Sequence, residues 1–536
     1  MPSHTPMRAQ PPHGLEPRSL PPQAHWPGVP LAVGMLSLSA WCALGIAPAH
    51  AQAPSPTPTR DARIQQVENG LLPAMVNPQT VPMRLSDRMR ALNIPGLSVA
   101  VVDRGQLVWA HAWGTAQPGV VMTPETVLQA ASISKPVSAV AALQAVDQGR
   151  LGLDTDLTSH LRTWPLPAGA QTADKPVTLR RLLSHNAGFT VSGFNGYLPS
   201  GPVPTVLQVL DGLPPANSAA VRVGWLPGSE RQYSGGGYTV LQQLLEDVYR
   251  EPFAAWMQQA VLGPAGMTHS FFAPPGPLTP LQMATAAMGH QRGQMIEGGY
   301  RIHPELAAAG LWTTPSDLAR FNLALPRLLR PATLAEALRL QSERSGLGFV
   351  IDPLTGRYGH DGGNAGFESR WLASPEDGGR AVVLMANSND AIGLMNEVVR
   401  AIATAHGWTR WMPATQASVT ETLTTTPMFV RGSLNDWGTG LALQKVAPGR
   451  YAGTTQHALP VGRVEFKIAS GDWDTVDLGG ASGANAAAMT LAQPTALNLG
   501  GSNLVFDVPQ PGRYRFELDT TSPTAIRLRI TRVAGR

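Results

Sequence analysis

A serine hydroxyl and a lysine amine three residues apart, Ser132 and Lys135, open a stretch with helical periodicity. On a helix that spacing puts both side chains on one face. A serine so paired can serve as a nucleophile without histidine, because the amine accepts or relays the hydroxyl proton. A desolvated ammonium gives up its proton more readily, and the positive end of a helix pushes the same way. The chain has four lysines, Lys135, Lys175, Lys445 and Lys467, so a lysine here is unusual. Ser-x-x-Lys alone still arises readily by chance, and the chemistry depends on what else the chain supplies.

Acyl transfer by a serine also needs donors for the developing oxyanion and an acid for the leaving group. Two further stretches offer these. Tyr233-Ser234-Gly235-Gly236-Gly237-Tyr238 reads as a glycine-rich turn into a helix. Near Lys135, the Tyr233 phenol could act as general base and then general acid. Gly359-His360-Asp361-Gly362-Gly363-Asn364 precedes a predicted strand. Its glycines permit close approach of backbone to a substrate. The Gly363 N–H could join that of Ser132 as an oxyanion hole, with Gly362 beside it. His360 could hydrogen-bond a substrate carboxylate or Tyr233.

The ordered triplet resembles the serine β-lactamase and penicillin-binding-protein superfamily, in its class C-like branch, whose signature is Ser-x-x-Lys, Tyr-x-Asn and Lys/His-x-Gly. Ile94 to Gly96, Leu182 to Phe189, Gly263 to Met267 and Ala308 to Leu311 look like further landmarks, and the likeness covers roughly residues 75 to 405. The resemblance implies Ser132 as acylated nucleophile, Lys135 and Tyr233 sharing the proton work, and His360 to Gly363 along the opposite wall. It implies no cofactor. Gly235 stands where the family's asparagine would be, which argues against efficient β-lactam hydrolysis, and His360 in place of lysine resembles D-peptidase and esterase members. The implied substrates are esters, D-amino-acid amides or peptides, or weakly β-lactams. The alternatives are a non-catalytic, polysaccharide- or cell-wall-binding protein and a β-lactamase proper.

The elements that must position these groups follow from periodicity and turns. Ile94 to Asp103 reads as a turn into a strand, Asp103-Arg104-Gly105 as a hairpin turn and Gln106 to Trp113 as the returning strand. Ser134 to Gln148 reads as a helix with Val137, Val140, Ala141, Leu143 and Val146 on its apolar side. Tyr238 to Glu251, Pro252 to Leu262, Ala308 to Phe321 and Ala391 to Ala405 read as helices, and Phe367 to Leu372 with Gly379 to Asn387 as a strand pair. Strands from both ends around a helical middle predict an α+β domain: one antiparallel sheet flanked by helices, with a mostly helical subdomain.

Near His406 the texture changes, and beyond the Thr-, Ser- and Ala-rich Ala417 to Thr426 come short strand-like runs at Pro427 to Gly432, Arg450 to Gly453, Val461 to Ile468, Asn503 to Val508 and Arg513 to Leu518. They predict a C-terminal immunoglobulin-like β-sandwich. The runs Phe429 to Trp437 and Glu465 to Trp473 resemble glycogen- and starch-binding sandwiches attached to pullulanase-type enzymes. That likeness implies Trp437, Trp473, Lys467 and Asn503 as sugar-binding residues, and a polysaccharide as a partner. The expected division is 1–51 signal peptide, 52–74 flexible leader, 75–408 hydrolase-like domain, 409–426 linker and 427–536 sandwich.

Composition narrows the classes. The chain has 536 residues, 43% of them hydrophobic and 14% charged, with a formal net charge of +4 from scattered arginines. That is no basic stripe, so nucleic acid is not an expected partner. The apolar run Leu31 to Ala47 follows Arg8 and Arg18 and is followed by Ala49-His50-Ala51, which predicts export and cleavage before Gln52, the alternative being an uncleaved membrane anchor. A periplasmic or secreted protein with no membrane attachment after cleavage is expected. The single cysteine, Cys42, falls inside this segment, which excludes disulfides, thiolate metal sites and cysteine catalysis from the mature chain. There is no His-Glu-x-x-His metal motif, no phosphate-binding Gly-x-x-x-x-Gly-Lys and no Gly-x-Ser-x-Gly elbow.

Overall fold

A computed structural model describes residues 59–536, apart from 77–80, 174, 274, 409, 412–414, 417–418, 472, 474, 481–487, 500, 523–524 and 534–536. The expected signal segment lies outside the described residues.

The centre is a seven-stranded antiparallel sheet. Its strands are β1 (Gly96–Asp103), β2 (Gln106–Gln117), β3 (Val120–Val121), β4 (Val350–Ile351), β5 (Tyr358–Asn364), β6 (Phe367–Ser374) and β7 (Arg380–Ala386), in the order β4-β5-β6-β7-β1-β2-β3. The β1–β2 turn places Arg104 and Gly105 at φ of +50° and +73°, the left-handed geometry a two-residue hairpin requires.

Alternation along the strands divides the interior into two cores. Ala100, Val102, Val383 and Met385 face the helical subdomain. Val99, Val101, Val382 and Leu384 face the opposite side, where they meet helices α1 (Arg60–Asn69) and α5 (Ile392–His406). Ile64 and Val67 of α1 are buried there, so the packed domain begins inside the segment expected to be a flexible leader.

Helix α2 (Ser134–Asp147) carries the Ser-x-x-Lys turn. The expectation of one apolar side is corrected: Ser134, Lys135 and Ser138 are as buried as Val137 and Leu143. The helix runs through the middle of the domain, which suits a stretch apolar nearly all round. Helix α3 (Gly235–Tyr249) starts three residues before the expected Tyr238, because the Ser234 hydroxyl accepts from the Gly237 N–H and caps it. The expected helix Ala308 to Phe321 is three elements: a turn Leu306–Ala309, a short strand Leu311–Thr313, and α4 (Pro315–Leu328), capped by Thr314.

The C-terminal region is all β. Strands β8 (Met428–Gly432), β9 (Ala442–Ala447), β10 (Arg450–Thr454), β11 (Gly462–Ala469), β12 (Leu504–Val508), β13 (Tyr514–Asp519) and β14 (Arg527–Arg532) pair in the order β12-β11-β8-β9-β10-β13-β14. This is the expected C-terminal sandwich, and the β8–β9 pairing joins its two halves into a nearly closed, barrel-like arrangement. Phe466 and Phe516 meet across its core at 5.4 Å. Leu423, from a helix Val419–Thr425 within the expected linker, is buried in the same core.

Candidate active site

Ser132 sits on a tight turn (Ala131–Ile133) leading into α2. Ala131, the residue before it, is held at φ +49°, a conformation L residues seldom adopt and one that clusters at functional sites. The Lys135 Nζ lies 3.0 Å from the Ser132 Oγ and 2.8 Å from the carbonyl oxygen of Ala308. Lys135 is 2% exposed, so its end is fixed between these two oxygens away from bulk water.

The tyrosine comes from the start of α3. Lys135 Nζ stands 5.0 Å from the centre of the Tyr233 ring. His185 holds this turn: its Nδ1 accepts from the Ser234 N–H at 3.1 Å and its carbonyl accepts from the Gln232 N–H at 2.7 Å. The His185 ring packs on Tyr233 at 4.4 Å. An accepting Nδ1 requires a neutral imidazole, and burial followed by the nearby Arg231, Lys135 and His360 charges depresses its protonation well below the ordinary range. His185 lies in the Leu182 to Phe189 stretch, which had no chemical role assigned from sequence. Its link to Ser234 spans 49 positions, and spacing carries no sign of it.

Strand β5 forms the opposite wall. A Cβ on Gly362 would fall 2.3 Å from the Ala130 oxygen and 3.0 Å from the Ser132 nitrogen, so a glycine is required for β5 to reach the Ser132 turn. A Cβ on Gly363 would meet nothing within 4 Å, since this residue borders open space. His360 is buried, and its Nδ1 lies 2.5 Å from the Asp361 carbonyl oxygen, which makes Nδ1 the protonated nitrogen. Burial first, then Lys135, pulls its pKa down to about 4. With Nδ1 donating to the Asp361 carbonyl and the ring kept neutral by burial, the remaining nitrogen is an acceptor. The ring stays close to Tyr233, with ring centres 6.2 Å apart.

The missing asparagine has a steric reason. A Cβ on Gly235 would lie 3.0 Å from Phe194 Cε2 and 3.1 Å from the Ser192 oxygen. A side chain at position 235 would therefore press on Phe194, which would have to give way slightly. Behind Lys135 lies a second pair that sequence reading passed over: His303 Nδ1 and Glu305 Oε2, 3.8 Å apart and fully enclosed. Burial holds His303 down to about 4 and Glu305 up to about 8. Both are neutral near pH 7.

The sandwich residues lie differently. Trp437 and Trp473 are 5.8 Å apart, but the Arg431 guanidinium stacks 3.7 Å from the Trp473 ring centre. Lys467 is buried and bound to Asp477 at 2.8 Å. Asn503 is half-buried just before β12. The ring face and the ammonium expected to meet a sugar are thus already engaged by the protein. Among the described residues no cluster could hold a metal ion, and no helix is long and apolar enough to cross a membrane.

Residues 84–407 match the Beta-lactamase family model. The protein named penicillin-binding protein PbpX from Bacillus subtilis (strain 168) is 24% identical over 336 residues, 59% of this chain and 77% of its own length. Esterase EstB from Burkholderia gladioli is 29% identical over 190 residues, 33% of this chain, and the chain spans 47% of that enzyme. The octameric penicillin-binding protein homologue from Pyrococcus abyssi superposes with a TM-score of 0.51 at 17% identity, covering 83% of this chain and 98% of that one.

Proposed function

This chain belongs to the Beta-lactamase family, a family of serine hydrolases, and from that premise we propose that it acts through an acyl-enzyme on Ser132. The observation that carries this reading is the 3.0 Å approach of Lys135 Nζ to Ser132 Oγ in a buried setting. Lys135 stays anchored by an N–H on the Ala308 oxygen while its Nζ faces the serine hydroxyl whose proton must move. Ser132 attacks the substrate carbonyl, and its proton passes to Lys135 and the adjacent Tyr233. The backbone N–H groups of Ser132 and Gly363 receive the oxyanion. Tyr233 protonates the leaving group, and water then releases the acyl group from Ser132.

The substrates are esters and D-amino-acid amides or peptides, with β-lactams poor by comparison. The likeness to an enzyme named an esterase supports ester cleavage. Gly235, crowded by Phe194, and the uncharged His360 both argue for weak turnover of anionic β-lactams. Export to the periplasm or medium is part of the proposal and rests on the Leu31 to Ala51 segment. N-terminal sequencing that finds Gln52 first would support it, and a retained Leu31 to Ala51 would overturn it.

A panel of p-nitrophenyl esters, D-amino-acid anilides and nitrocefin, compared between wild type and Ser132→Ala, tests the reading. Ester or anilide turnover that disappears in the variant is expected. Equal rates in both proteins would refute it.

A further inference from the structure

The sandwich reaches the hydrolase domain beside the catalytic cleft. Arg344 Nη1 donates to the Gly471 carbonyl oxygen at 3.4 Å, across the two domains. The same oxygen accepts from Arg431 at 3.0 Å, and Arg431 Nε donates to the Trp437 oxygen at 2.8 Å. One arginine thus ties the 471 turn to the turn containing Asp436. On the hydrolase side, Ser345, the neighbour of Arg344, accepts from Arg231 Nε at 2.8 Å. The Arg231 guanidinium lies 5.8 Å from the Tyr233 ring centre. Asp436 and Arg231 are each one step from this bridge, Asp436 in the sandwich and Arg231 in the hydrolase domain.

The Asp436 turn is strained. Asp436 and Trp437 both sit at positive φ, +50° and +59°, as does Trp473 at +63°. Gly432 N–H donates to the Asn435 side chain and Trp437 N–H to the Gly432 oxygen, which fixes the loop. Non-glycine residues held this way cost energy and are retained where geometry matters. Burial lifts the Asp436 carboxyl to about 6 and Arg231 opposes that rise, so at pH 8 it is an anion within electrostatic reach of Arg231.

We propose that the C-terminal sandwich supplies Asp436 to the mouth of the Ser132 cleft, where it offsets Arg231 and makes the site favour neutral or cationic acyl groups over anionic ones. This rests on the acyl-enzyme reading and adds a specificity residue to it. Arg231 alone, beside Tyr233, would draw a carboxylate-bearing acyl chain toward the cleft. With Asp436 opposite, that attraction is cancelled.

Two measurements on the full-length chain test this. In a Cys42→Ser background, the pair Arg231→Cys with Asp436→Cys is treated with dibromobimane, which fluoresces once it bridges two neighbouring thiols. Bridging in the double variant and in neither single variant is expected. Its absence would overturn the placement whether or not the protein is active. In the second, kcat/KM is compared for p-nitrophenyl butyrate and p-nitrophenyl hemisuccinate, esters of similar size and different charge. Asp436→Asn is expected to raise the hemisuccinate-to-butyrate ratio about fivefold. Salt near ~1 M should shrink that gain, and Asp436→Glu should restore the wild-type ratio. Asparagine tolerates the left-handed backbone, so the variant keeps the turn. Ester turnover with an unchanged ratio would sink the charge filter alone. No turnover of either ester, with Ser132 unmodified by acylating probes, would sink the acyl-enzyme reading and the filter with it.

Discussion

The Ser132 cleft and the Trp437–Trp473 pair were both suggested by motif, and their surroundings are opposite. In the cleft, Lys135 is pinned between Ser132 and Ala308, and Gly363 opens onto free space. In the sandwich, Arg431 already stacks on Trp473 and Asp477 already holds Lys467. Residue types that could recognise a ligand are common. A site is distinguished by groups prepared for a partner that the protein does not itself provide.

The largest effect expected from breaking this contrast is at Lys135. Lys135→Ala should lower kcat for the best ester about 10³-fold or more, with the fold intact by circular dichroism. A loss under tenfold would remove Lys135 from the proton work.

Next is the attempt to make the cleft a better β-lactamase. Gly235→Asn forces a side chain against Phe194 and should cost about 1–3 kcal/mol of stability without raising nitrocefin turnover. Denaturant titration and a nitrocefin assay read both outcomes. A stable variant with faster nitrocefin hydrolysis would show that Phe194 yields.

How much of this was legible in the sequence varied with the range of the interaction. The hairpin at Asp103 to Gly105 and the composition of each of the three motifs are local, and local chemistry carries them. Strand β14 was also legible and was missed: Leu528 and Ile530 alternate with Arg527 and Arg529, a half-buried strand's pattern. Strand β9 was not, because Gln444, Lys445 and Val446 are all exposed and leave no alternation. Helix α1 lacks a continuous apolar face and is held by Ile64 and Val67 against α5. His185 and Phe194 act through partners distant in sequence, and no spacing rule reports them.

A smaller, pH-dependent effect follows from the enclosed histidines. His303 and His360 both have folded pKa values near about 4, below the unfolded 6.5. The unfolded chain therefore binds more protons between these values, and this contribution to stability falls as pH drops from about 6.5 toward 4. His360→Asn should flatten that fall, measured as urea midpoint against pH. An unchanged slope would mean that His360 is charged in the folded protein.

The smallest expected effect concerns the sandwich. Trp473→Ala should leave retention on insoluble amylose unchanged from a wild type that is itself not retained. Wild-type retention abolished by this substitution would restore the sugar-binding reading and weaken the contrast drawn above.

The most direct measurement is to label the full-length protein with a fluorophosphonate and map the adduct by peptide mass spectrometry. Acyl-enzyme chemistry predicts one modified residue, Ser132, and no labelling of Ser132→Ala. An adduct on another serine, or labelling that survives in Ser132→Ala, would contradict it.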